Sequence, residues 1–212
     1  MNRTFCIHPH DLTTEFLYPV YNAFIKFEDT YGISGDSSED CFFDDLTSAL
    51  SNPNIHSFIF LGHGYSSALY GNGFSELITE SELRTINNKT LILFACNSSQ
   101  LMEKINAKRG IGFGFIPSGQ DDILHSPKFH NLDLSPMESI DWNCLRDAYR
   151  KSWIRAIKGA KDLSDVYGLY KRLDLFLNRA IVEILSDSNL VNKGLISNIL
   201  FYVKKDMQYF GT

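Results

Sequence analysis

The chain predicts an α/β protein built on a mostly parallel sheet with helices on both faces, and three observations carry that expectation. Over the first 120 or so residues, short apolar runs alternate with helix-patterned segments. Two of those runs, "HSFIFLG" and "KTLILFA", are apolar at nearly every position, as in strands covered on both sides. From Pro136 onward the pattern is helical to the end. A single domain over residues 1–212 is therefore expected, with a helical C-terminal portion at about 136–212.

The elements follow in order. "TFCIHP" (Thr4 to Pro9) is a short apolar run closing in polar residues, and it reads as the first strand. Pro19 suits the first turn of a helix, which is placed from about Tyr18 to Glu28. "YGISGDSSED" reads as a loop, with Ser37 and Asp40 spaced as a capping box opening the helix "CFFDDLTSAL". After the strand "HSFIFLG", the turn-rich "SSALYGNG" suggests a small hairpin, and Thr79 with Glu82 forms a second capping box before "ESELRTI". "KTLILFA" is the next strand, "SSQLMEKINAK" a helix and "GIGFGFIP" a third strong strand. Three helices complete the chain: "MESIDWNCLRDAYRKSWIRAIKGA", "DVYGLYKRLDLFLNRAIVEILS" and "GLISNILFYVKKDM".

Composition excludes several classes. At 212 residues, 44% hydrophobic and 21% charged, the chain suits one substantial core. A net charge of −5 gives no basic face for nucleic acid. "MNRTFCIHPHDL" lacks the apolar run of an export signal, and no later run approaches the roughly 18 residues of a membrane helix. Cys6, Cys41, Cys96 and Cys144 lie far apart without a CxxC pair, so free thiols and a cytoplasmic setting are expected. No phosphate-cradling loop is present, since "GIGFG" precedes no Lys-Ser/Thr, and no cofactor is expected.

Chemistry concentrates where two buried strands end. "FIFLGHGYSSALYG" ends its apolar run at His63, and "LILFACNSSQ" ends its run at Cys96. In an open parallel sheet, reactive residues gather in the crevice at the carboxyl ends of the strands. A thiol needs a base or cation nearby to become a nucleophile, and an imidazole supplies both. Glycine beside the histidine admits a close approach of substrate to backbone, and the N–H groups of Gly64 and Cys96 would serve a developing oxyanion. Taken singly, a cysteine or histidine at a strand end is more often a packing residue; their joint placement favours a dyad.

The same residues carry a resemblance. "LGHG", the spacer and "LILFACNSS" resemble the His-Gly and Ala-Cys motifs of the caspase-like cysteine peptidases, the group holding caspases, separases, gingipains and bacterial CHAT domains. The spacer "SSALYGNGFSELITESELRTINNK" is similar to the CHAT pattern of a Ser-x-Leu turn, a Gly and "LT-x-x-E-L". "GIGFGFIPSG" occupies the place of the family's next strand and specificity loop, and "RKSWIRAIKGAKDLSDVYGLYKRL" resembles a helix pair of that family. The likeness spans about residues 55–180 and departs at Asn97-Ser98-Ser99, where many CHAT domains carry a Thr-Gly or Ser-Gly.

The resemblance implies a three-layer caspase-like fold and peptide-bond hydrolysis by a Cys96–His63 dyad, with Gly64 and Cys96 as oxyanion donors and no third residue required. It implies a specific protein target, cut on a signal as in bacterial cell-death or antiphage defence, and an activating protein partner. It also implies a pocket for the residue before the scissile bond, built from "HPHDLTTE" and "PSGQDDIL". These stretches offer Asp11, Glu15, Asp121 and Asp122 without Arg or Lys, which favours a basic substrate residue. Two other readings compete. One is a catalytically inactive interaction module on the same fold. The other is a metal-dependent hydrolase using His8 and His10 of "HPHD", with further ligands from His125, His130 or aspartates, against which Pro9 argues for a polar turn.

Overall fold

A computed structural model describes residues 3–119, 122 and 137–211. Its centre is a six-stranded sheet in the order β2-β1-β3-β7-β8-β9. Strands β1 (Arg3–Pro9), β2 (Thr30–Gly35), β3 (Ile55–Leu61), β7 (Thr90–Phe94) and β8 (Arg109–Gly112) run parallel. The last strand, β9 (Gln208–Phe210), pairs antiparallel with β8. The expected α/β class with a mostly parallel sheet is thus present.

Register explains how the two faces are filled. Cys6 lies opposite Ile59, Ile59 opposite Ile92 and Ile92 opposite Ile111, so one apolar row crosses four strands. That row packs under α1 (Tyr18–Phe24), α5 (Ser139–Lys158), α6 (Val166–Ser186) and α7 (Lys193–Lys205), whose Phe24, Trp153, Leu173 and Ile199 join the same buried cluster. Neighbouring positions point the other way. Phe58, Phe60, Leu91 and Leu93 meet α2 (Asp40–Ser51), α3 (Glu80–Thr85) and α4 (Ser98–Lys104) in a second cluster. Among the described residues, no helix is long and apolar enough to cross a membrane.

Between β3 and β7 the chain builds a small antiparallel sheet from β4 (His63–Gly64), β5 (Ala68–Tyr70) and β6 (Glu76–Thr79), in keeping with the hairpin expected at "SSALYGNG". The Thr79–Glu82 capping box forms as expected, with Glu82 N donating to the Thr79 hydroxyl at 3.2 Å and Thr79 N to the Glu82 carboxylate at 2.8 Å.

Four expectations are corrected. "YGISG" belongs to β2 instead of a loop, and its Gly32 permits a pairing so close to β1 that a Cβ would stand 2.0 Å from the Cys6 carbonyl oxygen. The Ser37–Asp40 box does not form. Helix α2 starts from Glu39 without a side-chain cap, and the Ser37 hydroxyl instead accepts from Asn72 N at 2.9 Å. The strand read over "GIGFGFIP" ends at Gly112, and the following residues turn over Cys96. The C-terminal portion is not helical to its end, since α7 stops at Lys205 and β9 returns to the sheet.

Gly32 gives the first prediction. Replacing it with alanine forces β1 and β2 apart, and overpacking of this kind costs about 1–3 kcal/mol. Urea denaturation of Gly32→Ala is expected to show that loss, whereas Gly35→Ala, which meets nothing within 4 Å, is expected to lie within about 1 kcal/mol of the parent.

Candidate active site

The sheet order reverses between β1 and β3, since β1 leads outward to β2 while β3 leads to β7 and β8. Crevices form at the carboxyl edge of such a reversal. Three chain turns meet there, after β1, β3 and β7, and they carry Asp11–Thr14, His63 and Cys96.

His63 is set in place by the small sheet. It pairs with Tyr70 in β5, and its ring packs on Phe74 with centroids 4.6 Å apart. Phe74 holds φ at +58°, a left-handed conformation uncommon for an aromatic residue. Gly64 presses against the cysteine turn so tightly that a Cβ would stand 2.8 Å from the Cys96 carbonyl oxygen. Tyr65 N donates to Ala68 O, so by antiparallel alternation Gly64 turns its N–H away from β5.

Asp11 pairs with the imidazole. Its Oδ1 lies 3.1 Å from His63 Nε2, with the two side chains 14% and 12% exposed. The Thr13 hydroxyl stands 2.9 Å from the same nitrogen and donates to Asp11 Oδ1 at 2.6 Å, and Thr13 N donates to that oxygen at 2.9 Å. Burial works against the Asp11 carboxylate. The Thr13 hydroxyl, His63 and the Thr13 amide outweigh it and bring its pKa to about 2. An ionised carboxylate facing Nε2 calls for a proton on that nitrogen, which leaves Nδ1 as the basic atom of a neutral ring. The sequence offers Asp11 as an acid of a substrate pocket and carries no sign of its pairing with His63.

Cys96 sits on a sharp strand-to-helix turn. Asn97, in the left-handed region at φ +57°, reverses the chain into α4. Ser98, fully buried, donates to Leu93 O at 2.7 Å and accepts from Phe113 N at 2.9 Å, stitching the turn to the segment beyond β8. That segment covers the thiol. Sγ donates to Ile116 O at 3.4 Å and accepts from Ile116 N at 3.3 Å. Burial pushes the Cys96 thiol up to about 12, opposed by the Ile116 bond and reinforced by the Asp122 charge. No hydrogen bond joins Cys96 to His63. Both line one small cavity of about 30 Å³ together with Gly62, Ser118 and Asp122.

Asp122 is already engaged. One of its carboxylate oxygens accepts from Ser118 N at 2.7 Å, Ser118 Oγ at 2.8 Å and Gly119 N at 2.9 Å. It also lines an adjoining cavity of about 310 Å³ with Thr13, Trp142 and Arg146. Arg146 reaches there from α5 and donates to Ser118 O at 2.7 Å. Sequence reasoning confined to two loops missed this cation. Glu15 opens a short 3-10 turn and faces a groove beside α5, away from the cavity that His63 and Cys96 share. Asp121, His125 and His130 lie outside the described residues. Beneath the thiol, the Tyr149 hydroxyl is buried without a hydrogen-bond partner, and burial with the nearby Cys96 and Asp122 raises its pKa.

His8 and His10 serve a different end. The two His8 nitrogens meet Ser34 Oγ at 3.1 Å and Thr14 O at 3.3 Å, and Ser34 Oγ meets His10 Nε2 at 3.2 Å. With both nitrogens occupied, His8 braces the turn that carries Asp11 and Thr13. Among the described residues, no three His, Cys, Asp or Glu side chains gather as metal ligands.

His8 yields a pH prediction. Burial, partly offset by the Thr14 carbonyl, lowers its pKa from 6.5 to about 4. The unfolded chain therefore binds a proton that the folded chain refuses between those values. Stability conferred by neutral His8 is complete above about pH 6.5 and falls as the pH drops toward 4, with a limiting slope of about 1.4 kcal/mol per unit. Asp11 adds a separate loss only below about pH 4, where its carboxylate begins to protonate. Chemical denaturation between pH 7 and 4 is expected to show the first slope in the parent protein and its loss in His8→Gln.

No protein-family model matches this chain, and a search of curated proteins finds no match to its sequence.

Proposed function

We propose that the protein is a cysteine endopeptidase of caspase-like, CHAT type, cutting a specific protein target through Cys96 and His63, in a bacterial defence or cell-death setting. One observation carries the reading: the thiol and the imidazole line a common cavity at the carboxyl edge of two adjacent parallel strands, while Asp11 and Thr13 hold the far nitrogen of the ring. The proposed chemistry follows from those positions. His63 Nδ1 takes the thiol proton as Sγ attacks the substrate carbonyl carbon. The oxyanion is met by the N–H groups of Gly64 and Cys96. The imidazolium, stabilised by Asp11, returns the proton to the leaving amine, and water then hydrolyses the thioester by the same base.

On this reading the arrangement described above is the enzyme's resting state. A thiol with a pKa of about 12 is protonated at neutral pH, and both backbone groups of Ile116 engage Sγ. Activation requires the Phe113–Gly119 segment to release Cys96, and an activating protein that binds only the released form supplies that free energy. The same burial is what a non-catalytic interaction module would show, and that second reading predicts a thiol that stays inert under every condition.

Alkylation and cleavage together test the proposal. In the resting protein, iodoacetamide is expected to modify exposed Cys41 well before Cys96. On activation the order inverts, and Cys96→Ala and His63→Ala each abolish cleavage with the fold retained. Asp11→Asn is expected to lower kcat by about 10- to 100-fold, in the range of positioned acid–base contributions, and to shift the acid limb of the pH–rate profile. A Cys96 that stays unreactive with the candidate activator bound, and no cleavage of a peptide library, would support the module instead.

Substrate preference is a contest between two charges. Asp122 is proposed to receive a basic residue before the scissile bond, a charge-assisted contact of about 1.5–3 kcal/mol. Arg146 lines the cavity next to it and opposes that choice. Profiling the activated enzyme is expected to give Arg or Lys by about tenfold or more, reduced in Asp122→Asn. A preference for Asp or Glu would transfer the role to Arg146.

A further inference from the structure

The amino ends of the strands, opposite the candidate active site, carry an unusual line of side chains. Thr30 on β2 lies in register with Thr4 on β1, Thr4 with Ser57 on β3, Ser57 with Thr90 on β7, and Thr90 with Arg109 on β8. In-register neighbours share a face of the sheet, so four hydroxyls and a guanidinium form one row across five strands. The row lies on the face of Cys6, Ile59 and Ile92, two residues earlier in each strand. There the helical layer stops short and leaves a cavity of about 580 Å³, closed on its far side by the turns at 27–29 and 161–164.

Four properties point to a ligand. Thr4, Thr30, Ser57 and Thr90 are 4%, 9%, 9% and 8% exposed, yet among the described residues none of their hydroxyls makes a hydrogen bond to the protein. At strand positions this shielded, valine would pack as well, so four hydroxyls in one row mark a polar lining. The cavity falls within the roughly 300–1,000 Å³ range of small-molecule sites. Its ends differ in charge: Arg109 and Lys161 stand at the β8 end, and Glu28 and Asp29 at the β2 end. Asp162, also at the cationic end, is occupied by the Ser164 amide, and Arg109 spends one nitrogen on Ser164 O.

We propose that this cavity binds a phosphorylated polyol of the sugar-phosphate or mononucleotide class. The phosphate sits on Arg109 and Lys161, the arginine and lysine among the described residues that line the cavity. The ligand's hydroxyls exchange hydrogen bonds with the Thr/Ser row, and a carboxylate of Glu28 or Asp29 accepts from those farthest from the phosphate. The site is independent of the dyad, and binding does not require the proposed peptidase activity.

Thermal shift and titration calorimetry on the purified full chain test this, with ribose 5-phosphate and AMP as probes and ribose and inorganic phosphate as controls. At about 5 mM, at least one phosphorylated probe is expected to raise Tm by about 2 °C or more, and neither control matches it. Arg109→Ala is expected to weaken binding about tenfold or more. Thr4→Val with Thr90→Val, which keeps shape and removes two hydroxyls, is expected to weaken binding similarly while the ligand-free Tm holds or rises. The proposal is overturned by no shift with either phosphorylated probe at about 10 mM, by an equal shift from inorganic phosphate, or by undiminished binding in the valine pair.

Discussion

The in-register pairing of β1, β3 and β7 is the constraint on which the candidate site rests. Because these strands run parallel and share the Cys6–Ile59–Ile92 row, their carboxyl ends finish at the same edge. Three turns that are remote in sequence then meet, bringing Asp11, His63 and Cys96 into one neighbourhood without any of them contacting in sequence. A one-residue slip in any pair would send the apolar set to the wrong face, so core packing and site geometry are fixed by the same register. The hydroxyl row at the opposite edge follows from it too, two residues earlier along each strand.

Around that frame the candidate site is held by small interactions. The thiol is clasped by both backbone groups of Ile116, the imidazole is drawn to the Asp11–Thr13 pair, and Ser98 ties the cysteine turn to Phe113. Each contact is worth about 0.5–1.5 kcal/mol as an ordinary hydrogen bond, somewhat more where charge is involved. Binding energy of a few kcal/mol is enough to reverse such a balance. The orphaned Tyr149 hydroxyl beneath the thiol adds a cost to the closed arrangement.

Much of the architecture is legible in the sequence because long, strongly patterned segments determine it: β3, β7, α5, α6 and the Thr79 cap each carry their own local signal. The misses share a physical cause. β2 contains two glycines, one of them required by contact with Cys6, and glycine reads as loop when the neighbouring strand is unseen. β9 is three residues long, too short for any period to show. Ser37 has a cap's spacing, but Asn72 outcompetes the helix for its hydroxyl. His63 and Cys96 were visible because they end apolar runs. The pairing of Asp11 with His63 and the places of Phe74, Ile116 and Arg146 were not, since each depends on a partner at least 11 residues away. The short-range signal "Asp-x-Thr" at 11–13, an Asx-type turn, was the one clue that this loop is built to hold something.

The return of β9 to β8 has a mechanical consequence. The chain leaves the sheet at Gly112, passes through the helical third and comes back at Gln208, directly opposite the point of departure. A body that swings as a flap needs one untethered side, and this excursion is fastened at both. Rotation of α5–α7 as a rigid shell would tear the Gly110–Phe210 and Gly112–Gln208 pairing and strip cover from the Cys6–Ile59–Ile92 row. Among the described residues, the span just past the anchor, from Phe113 to Gly119, is free of the sheet yet lies over the thiol.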